Sequence, residues 1–444
     1  METNSFLRFF IGCKRRFKRF SPEKIAGYQL KEAQRVVKFI VSKSVFFREL
    51  YRRADLSAVW ALPTVNKKVM MENLTTYNTV GLTKEELLAF TTRVEKEERY
   101  GERLKGFNVA LSSGTSGNRG IVITSPAEEK YLQAAFFARF SFPRVLRMRW
   151  AFLLRITTPA FQVKKFGQQL THFSLKLPLE VLRRRLESFQ PNILSAPPSM
   201  LKILAREIQE ERLAIQPKRV VSYAEVLEPE IKTELEEIFR TPIHQIYQAS
   251  EGALGLTCKA GSLHINEDLV KLQLLNKDGT ETPAGTPCFQ SVVTDLHKTS
   301  QPIVRFELND IITLSLEKCS CGSSFRVIEH IMGRADDMFW GERKDTNELQ
   351  YIFPDYIRRA IIISSEHIEE YQAVQKSPTK VVVRVLLQRK EMKNEELAET
   401  LQKNIARVFN SYKCRTPRVE VRFEAPIKNR FSGKLIRIHR AFEV

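Results

Sequence analysis

Apolar positions recur along the chain with two different periods, and the change between them divides it. In residues 22–55, Val36, Phe39, Ile40 and Val41 stand among lysines, arginines and glutamates at helical spacing, which predicts a helical section. Leu62-Pro63-Thr64-Val65-Asn66-Lys67-Lys68 reads as a turn into a further helix carrying Met70 and Met71. Short β-branched runs then take over. Val109-Ala110-Leu111 and Ile121-Val122-Ile123 enclose a glycine-rich centre, which reads as strand, loop, strand. Downstream, Leu182, Leu186 and Phe189 share a helical face that Pro191 ends. Ile193-Leu194-Ser195-Ala196 is strand-like, and Pro197-Pro198-Ser199 opens a helix with Leu201, Leu204 and Ile208. Val220-Val221-Ser222-Tyr223 is again a strand, followed by a helix over 228–239. Repeated strand–helix alternation predicts an α/β domain on a largely parallel sheet, with ligands at the carboxyl ends of its strands. Near the end, strands at 380–387 and 419–423 flank a helix over 395–409, whose Leu397, Leu401, Ile405 and Val408 share one face. They form a separate α+β module.

Composition bounds this picture without redrawing it. With 444 residues the chain holds two or more domains, and 43% apolar with 27% charged residues is ordinary for a globular protein. The formal net charge of +20 is not ordinary. Basic chains meet nucleic acid or anionic membranes, or use the field to attract anionic substrates such as ATP. No zinc-finger spacing, aromatic nucleic-acid signature or basic-region heptad accompanies the charge, so nothing further supports a nucleic-acid partner. No apolar run approaches the roughly 20 residues of a membrane-spanning helix. Six cysteines in no regular framework fit a reducing cytoplasm. At the N-terminus, Arg8 interrupts the run Phe6–Ile11, and the cluster Lys14-Arg15-Arg16-Phe17-Lys18-Arg19 follows it, the wrong polarity for a secretory signal. This segment reads as a first helix packing its aromatics on the body, or as a peripheral contact with a membrane surface.

Candidate chemistry centres on Ser112–Gly120, Ser-Ser-Gly-Thr-Ser-Gly-Asn-Arg-Gly. Successive backbone N–H groups in such a loop, joined by hydroxyls, can wrap an anionic oxygen. It is not a Walker loop, because the G-x-x-x-x-G-K-[ST] spacing is absent. Cys258, His264, Cys319 and Cys321 supply three thiols and an imidazole, a closed tetrahedral set for structural zinc; otherwise they are two buried cysteines and a turn holding two more.

Taken in order, several segments resemble the adenylate-forming superfamily of acyl-CoA ligases and adenylation domains, nearest its phenylacetate–CoA ligase-like branch. Ser112, Ser113, Gly114, Thr115, Ser116 and Gly117 resemble its phosphate-binding loop. Ser222-Tyr223-Ala224-Glu225 resembles a segment near adenine, which implicates Ala224 and Glu225. Tyr247-Gln248-Ala249-Ser250-Glu251 is similar to the Tyr-Gly-x-Thr-Glu motif: the resemblance implies that Tyr247 stacks on adenine and Glu251 holds Mg²⁺, with Ser250 in place of threonine. Asp310, ending Pro302–Asp310, resembles the aspartate that binds the ribose hydroxyls, although Asn309 replaces a frequent glycine. In Gly333-Arg334-Ala335-Asp336-Asp337 the resemblance makes Arg334 a nucleotide contact and Asp336 a hinge. Ser432-Gly433-Lys434 is similar to the segment whose lysine reaches the acyl carboxylate and α-phosphate. Some members of the branch also carry a similar Cys/His cluster.

The resemblance implies a large multi-layer α/β N-terminal adenylation domain and a small mobile α+β C-terminal lid. The corresponding divisions are a helical section over 1–95, an adenylation core over 96–333 and the lid over 334–444. It further implies an enzyme that uses Mg²⁺ and ATP to turn a carboxylic acid into acyl-AMP and passes the acyl group to CoA. Loading of a phosphopantetheine thiol on an acyl-carrier protein, or a non-catalytic binding protein of the same fold, are the alternatives. Phe161, Phe166, His172 and Phe173 are expected near the acyl pocket.

Overall fold

The computed structural model describes residues 2–111, 120–154, 163–165, 167–365, 367–388, 394–428 and 435–443. The chain begins with helices α1 (Glu2–Arg19), α2 (Pro22–Lys43), α3 (Val45–Leu50), α4 (Lys67–Glu72), α5 (Leu74–Tyr77) and α6 (Lys84–Lys96). Their starts follow from local chemistry. Ser21 accepts from the Lys24 N–H with Pro22 in the first turn, and Thr83 with Glu86 forms a reciprocal capping box on α6. The inner face of α2, including Val36, Val37 and Ile40, enters the main apolar core, but Phe39 lies outward and is 39% exposed. The predicted helix is present, and at about 100° per residue Phe39 falls beyond the edge of the face that holds Val36, Val37 and Ile40.

Strands β1 (Asn108–Leu111) and β2 (Ile121–Thr124) pair as an antiparallel hairpin that leads into α7 (Pro126–Arg139). Then come β3 (Arg149–Leu154), β4 (Val163–Lys165), β5 (Gln168–Ser174), α8 (Leu179–Phe189), β6 (Ile193–Ala196), α9 (Pro198–Gln209), β7 (Arg219–Tyr223), α10 (Pro229–Phe239) and β8 (Ile243–Ala249). The next strands are β9 (Gly252–Thr257), β10 (Leu263–Ile265), β11 (Val270–Leu275), β12 (Gln290–Asp295), β13 (Phe306–Leu308), β14 (Asp310–Leu314) and β15 (Val327–Arg334). A ten-stranded sheet has the order β14-β15-β10-β9-β8-β7-β6-β3-β5-β4. Its middle, β5-β3-β6-β7-β8, is parallel, and α8, α9 and α10 cover it through a core containing Leu182, Leu186, Leu201, Leu204 and Leu235. Both flanks are antiparallel, so the sheet is mixed. The reason is connection length: β8–β9 and β9–β10 are joined by short turns, which cannot make a parallel crossover. Strands β11, β12 and β13 form a separate three-stranded sheet.

The last part comprises β16 (Phe339–Glu342), β17 (Leu349–Ile352), α11 (Pro354–Ile362), β18 (Ile368–Ser377), β19 (Lys380–Leu387), α12 (Asn394–Ser411), β20 (Arg418–Arg422) and β21 (Ile438–Arg440). Its four-stranded sheet, β20-β19-β18-β21, has its own core, in which Leu397, Leu401, Ile405 and Phe409 of α12 meet Val381, Val383 and Ile357. One edge strand, β20, carries alternating charges, with Glu420 paired to Lys380 at 3.2 Å; the other, β21, is three residues long. Arg358 on α11 pairs with Glu230 of α10 at 3.0 Å, and Arg206 on α9 pairs with Glu369 at 2.8 Å.

Helix α1 packs on α7: Phe9 meets Tyr131 edge-on, and Phe17 meets His264 and Phe325. Arg16 donates to Asp268 at 2.9 Å, and Arg139 of α7 reaches the same carboxylate. The first helix thus packs its aromatics on the body.

Candidate nucleotide site and a Cys/His cluster

Five strand ends meet around one rim of the large sheet. In the β14–β15 ladder, Asp310 and Arg334 are direct partners across the strands. The Tyr247 hydroxyl, on β8, donates to Asp310 Oδ2 at 2.6 Å. Burial pushes the Asp310 carboxyl upward, while the Tyr247 hydroxyl and Arg334 pull it back. Burial also holds the Tyr247 phenol well above its ordinary value, reinforced by the Asp310 charge. The turn from β8 to β9 carries Ser250, whose Oγ donates to Glu251 at 2.9 Å. Gly333, one step before Arg334, has φ +116°, which L side chains rarely adopt; glycine lets the ladder continue to Arg334.

Two lysines that the motifs did not flag surround Glu251. Lys298 is only 8% exposed, donates to the Ser250 carbonyl at 3.4 Å and faces Asp295, Glu128 and Glu251. Burial lowers its pKa against the pull of those carboxylates. Lys67, at the start of α4, is likewise lowered by burial, with the Glu251 charge opposing that shift and the Arg334 charge adding to it. The signal for Lys67 was its place at a helix start after the Leu62–Asn66 turn. Nothing local marks Lys298.

Glu128 joins this rim to the glycine-rich hairpin. It completes the capping box of α7 with Ser125, and its carboxylate also accepts from the Thr299 and Ser300 N–H groups at 2.6 and 2.9 Å. Burial works against this charge, yet the backbone donors hold it below the usual carboxylate range. The Gln301 amide pairs with one edge of β2, accepting from Ile123 N and donating to Ile121 O. Leu111 and Ile121 are register partners, so the two ends of the Ser112–Gly120 loop leave adjacent strands. Ser112, Ser113, Gly114, Thr115, Ser116 and Gly117 lie outside the described residues, as do Lys434, Phe161 and Phe166.

At the carboxyl end of β7, Ala224 has φ +66°, a left-handed conformation uncommon without glycine. Glu225 accepts from Ser199 N and Oγ, both at 3.1 Å, capping α9. Asp336 lies in a single 3₁₀ turn, Ala335–Asp337, directly after Arg334. Phe173 is 2% exposed and packs on Phe189 under α8, so it is part of the core and not of an acyl pocket. His172 bonds the Leu154 carbonyl at 3.0 Å.

At the opposite ends of β9, β10, β14 and β15, Cys258, His264, Cys319 and Cys321 converge. Their ligand atoms all lie within 4.8 Å of one another. Cys258 Sγ is 3.6 Å from Cys319 Sγ, and Cys321 Sγ is 3.4 Å from His264 Nε2. Tetrahedral zinc with Zn–S near 2.3 Å and Zn–N near 2.0 Å requires ligand separations of about 3.5–3.8 Å, close to these two pairs, and three thiols with an imidazole are a donor set that suits that ion. His264 Nδ1 lies 2.8 Å from the Phe325 carbonyl, which orients the ring and leaves Nε2 for a metal. A Cβ on Gly255 would come within 2.8 Å of the His264 carbonyl, so the close β9–β10 approach requires glycine there.

No family model matches the chain. The phenylacetate-coenzyme A ligase of Thermus thermophilus is 26% identical over 200 residues, 43% of this chain and 43% of that protein. Protein CapK of Staphylococcus aureus is 26% identical over 165 residues, 36% of this chain and 35% of that protein. The chain thus matches less than half the length of these curated relatives. Likeness in structure is broader. A 2-hydroxyisobutyryl-CoA ligase in the postadenylation state superposes with TM-score 0.68 at 16% identity, over 96% of this chain and 91% of that one. Its open conformation, in complex with 2-HIB-AMP and CoA, gives 0.62 at 17% identity over 94% and 92%. The fold is that of the adenylate-forming ligases, and the sequence resembles their phenylacetate–CoA ligase branch.

Proposed function

We propose that this protein activates a carboxylic acid with ATP and transfers the acyl group to CoA. The observation that carries the reading is the Tyr247–Asp310–Arg334 group, a phenol, carboxylate and guanidinium gathered at one rim of a fold shared with a ligase solved with an acyl-AMP and CoA. In the first step a substrate carboxylate oxygen attacks the α-phosphorus of ATP, and the bond to pyrophosphate breaks. In the second, a thiolate attacks the acyl carbon and AMP leaves. Asp310 accepts the ribose hydroxyls, a task suited to a carboxylate with two acceptor oxygens, and Tyr247 lies against adenine with Ala224. Arg334 stands on the phosphate side of the ribose. The Ser112–Gly117 segment wraps the phosphates.

Mg²⁺ is the metal that the reaction class requires, and Glu251 with the Ser250 hydroxyl offers the hard oxygen donors it prefers. When bound, it offsets charge on the departing pyrophosphate. Lys434 offsets charge in the transition state from the lid, over 334–444, which turns about Asp336 between the two steps. Catalysis is orientation and charge stabilisation, with no covalent enzyme nucleophile. Structural zinc at Cys258, His264, Cys319 and Cys321 completes the proposal.

Pyrophosphate release from ATP, measured across aryl, fatty and amino acids with hydroxylamine trapping the acyl-AMP, tests the reading. Release with one acid class, lost in Lys434→Ala while nucleotide still binds, is the expected result. A Lys434→Ala variant that adenylates normally would overturn the role of that lysine, and absence of ATP binding would overturn the site. CoA and a phosphopantetheine carrier protein, supplied separately, identify the acceptor thiol.

A further inference from the structure

Helix α1 has a fully committed inner face and an outer face of different character. Inward, Phe9, Cys13, Arg16 and Phe17 are taken up by α7, Asp268, His264 and Phe325. Ser323 Oγ also donates to the Phe17 carbonyl at 2.7 Å, fastening the end of the helix. Outward, Leu7, Ile11, Lys14 and Lys18 recur at i, i+4, i+7 and i+11, one line about 17 Å long, flanked by Arg8 and Arg15. Leu7 and Ile11 are each 54% exposed. Among the described residues, no acidic side chain forms an ion pair with Arg8, Lys14, Arg15 or Lys18.

The geometry points to this outer face as a docking strip for the anionic surface of a phospholipid bilayer. A row of unpaired cations complements a sheet of lipid phosphates. The two aliphatic side chains that begin that line gain free energy only where hydrocarbon lies just beneath the charge. A nucleic-acid backbone would use the cations and leave Leu7 and Ile11 in water. The helix is fixed before it meets the surface, so little ordering accompanies docking. Its inner aromatics stay in the protein, so α1 rests on the bilayer without entering it. No described helix is long and apolar enough to cross a membrane. This inference is independent of the acid-activation reading, because none of its residues belongs to the nucleotide site.

The test is co-sedimentation of the full chain with vesicles of phosphatidylglycerol and phosphatidylcholine in equal parts, and with phosphatidylcholine alone. Binding is expected only to the anionic vesicles, and should vanish as salt shortens the Debye length to about 3 Å. Each surface cation contributes about five-fold, so Lys14→Gln with Arg15→Gln and Lys18→Gln should weaken binding on the order of 100-fold. Three exposed lysines elsewhere, Lys218, Lys277 and Lys428, exchanged together for Gln, form the control. Equal loss in the control would assign the binding to net charge and overturn the strip. Leu7→Ser with Ile11→Ser should weaken vesicle binding without changing salt-dependent retention on duplex DNA. An undiminished affinity in that pair, or tighter binding to DNA than to vesicles, would also overturn it. All of these side chains face solvent, so an unchanged melting temperature verifies that each variant is folded.

Discussion

The strands β8, β9, β10, β14 and β15 have two chemically opposite ends. At one end Tyr247, Glu251, Asp310 and Arg334 are spread around a rim, with hydroxyl, carboxylate and guanidinium groups arranged beside one another. At the other, about 23 Å away along the eight residues of β15, three thiols and an imidazole converge on a single point. The first end is a half-buried spread of mixed polar groups. The second is closed. The same hairpins run between them, so a metal bound at the turn ends would fix the register in which the rim residues meet. On the proposed function, one end supplies position and the other supplies chemistry.

The widest separation between the two ends should appear on removing metal. Structural zinc contributes on the order of 10 kcal/mol in small domains. Chelation, or Cys321→Ser, should therefore lower the melting temperature by about 10 °C or more, with elemental analysis showing one zinc per chain beforehand. An unchanged melting curve would leave the second end without a structural role. Next in size, Glu251→Gln should reduce pyrophosphate release about 10²- to 10³-fold, the scale of losing one transition-state charge contact, with the melting temperature preserved. If it melted as early as the cysteine variant, the division of labour would fail.

A third effect comes from the packing around α1. Burial lowers His297 to about 4, from an ordinary value near 6.5, so the folded protein keeps it neutral while the unfolded chain protonates first. Stability from this group is whole above pH 6.5 and is lost as pH falls toward 4, by about 3 kcal/mol in all. His244, also lowered by burial to about 4, acts in the same direction, whereas Asp295, raised by burial to about 6, acts against both. Denaturant titrations of wild type and His297→Gln across this range isolate the contribution; identical slopes with pH would refute it. The smallest effect is at Ala224. Glycine there relieves the left-handed strain, and Ala224→Gly should gain up to about 1 kcal/mol in urea unfolding while loosening nucleotide affinity. A loss of stability would mean that the Ala224 side chain packs more than it strains.

Much of this was legible along the chain because it is local. The helix faces at 182–189 and 395–409, the strands at 193–196 and 220–223 and the hairpin around the glycine-rich loop follow from spacing and turn residues alone. The rest depends on pairing across distance. Asp310 and Arg334 are ladder partners only because β14 and β15 fold back through the turn holding Cys319 and Cys321. Lys298 gains its surroundings from Glu128, Asp295 and Glu251, brought together by three different elements. Phe173 looks like a pocket aromatic in sequence, yet pleat alternation turns it toward α8. The cysteine spacing named the ligand set, but only the fold brings its atoms together.

The edges of the C-terminal sheet bear on how copies of the chain behave when crowded. An unpaired strand edge is a template for its own duplicate. Here β20 alternates Arg418, Glu420 and Arg422 along its length, and β21 is too short to nucleate a partner. Proteins gathered on a lipid sheet meet edge to edge far more often than in solution. Charged and shortened margins allow such gathering without the slow, irreversible zippering that ends in aggregate.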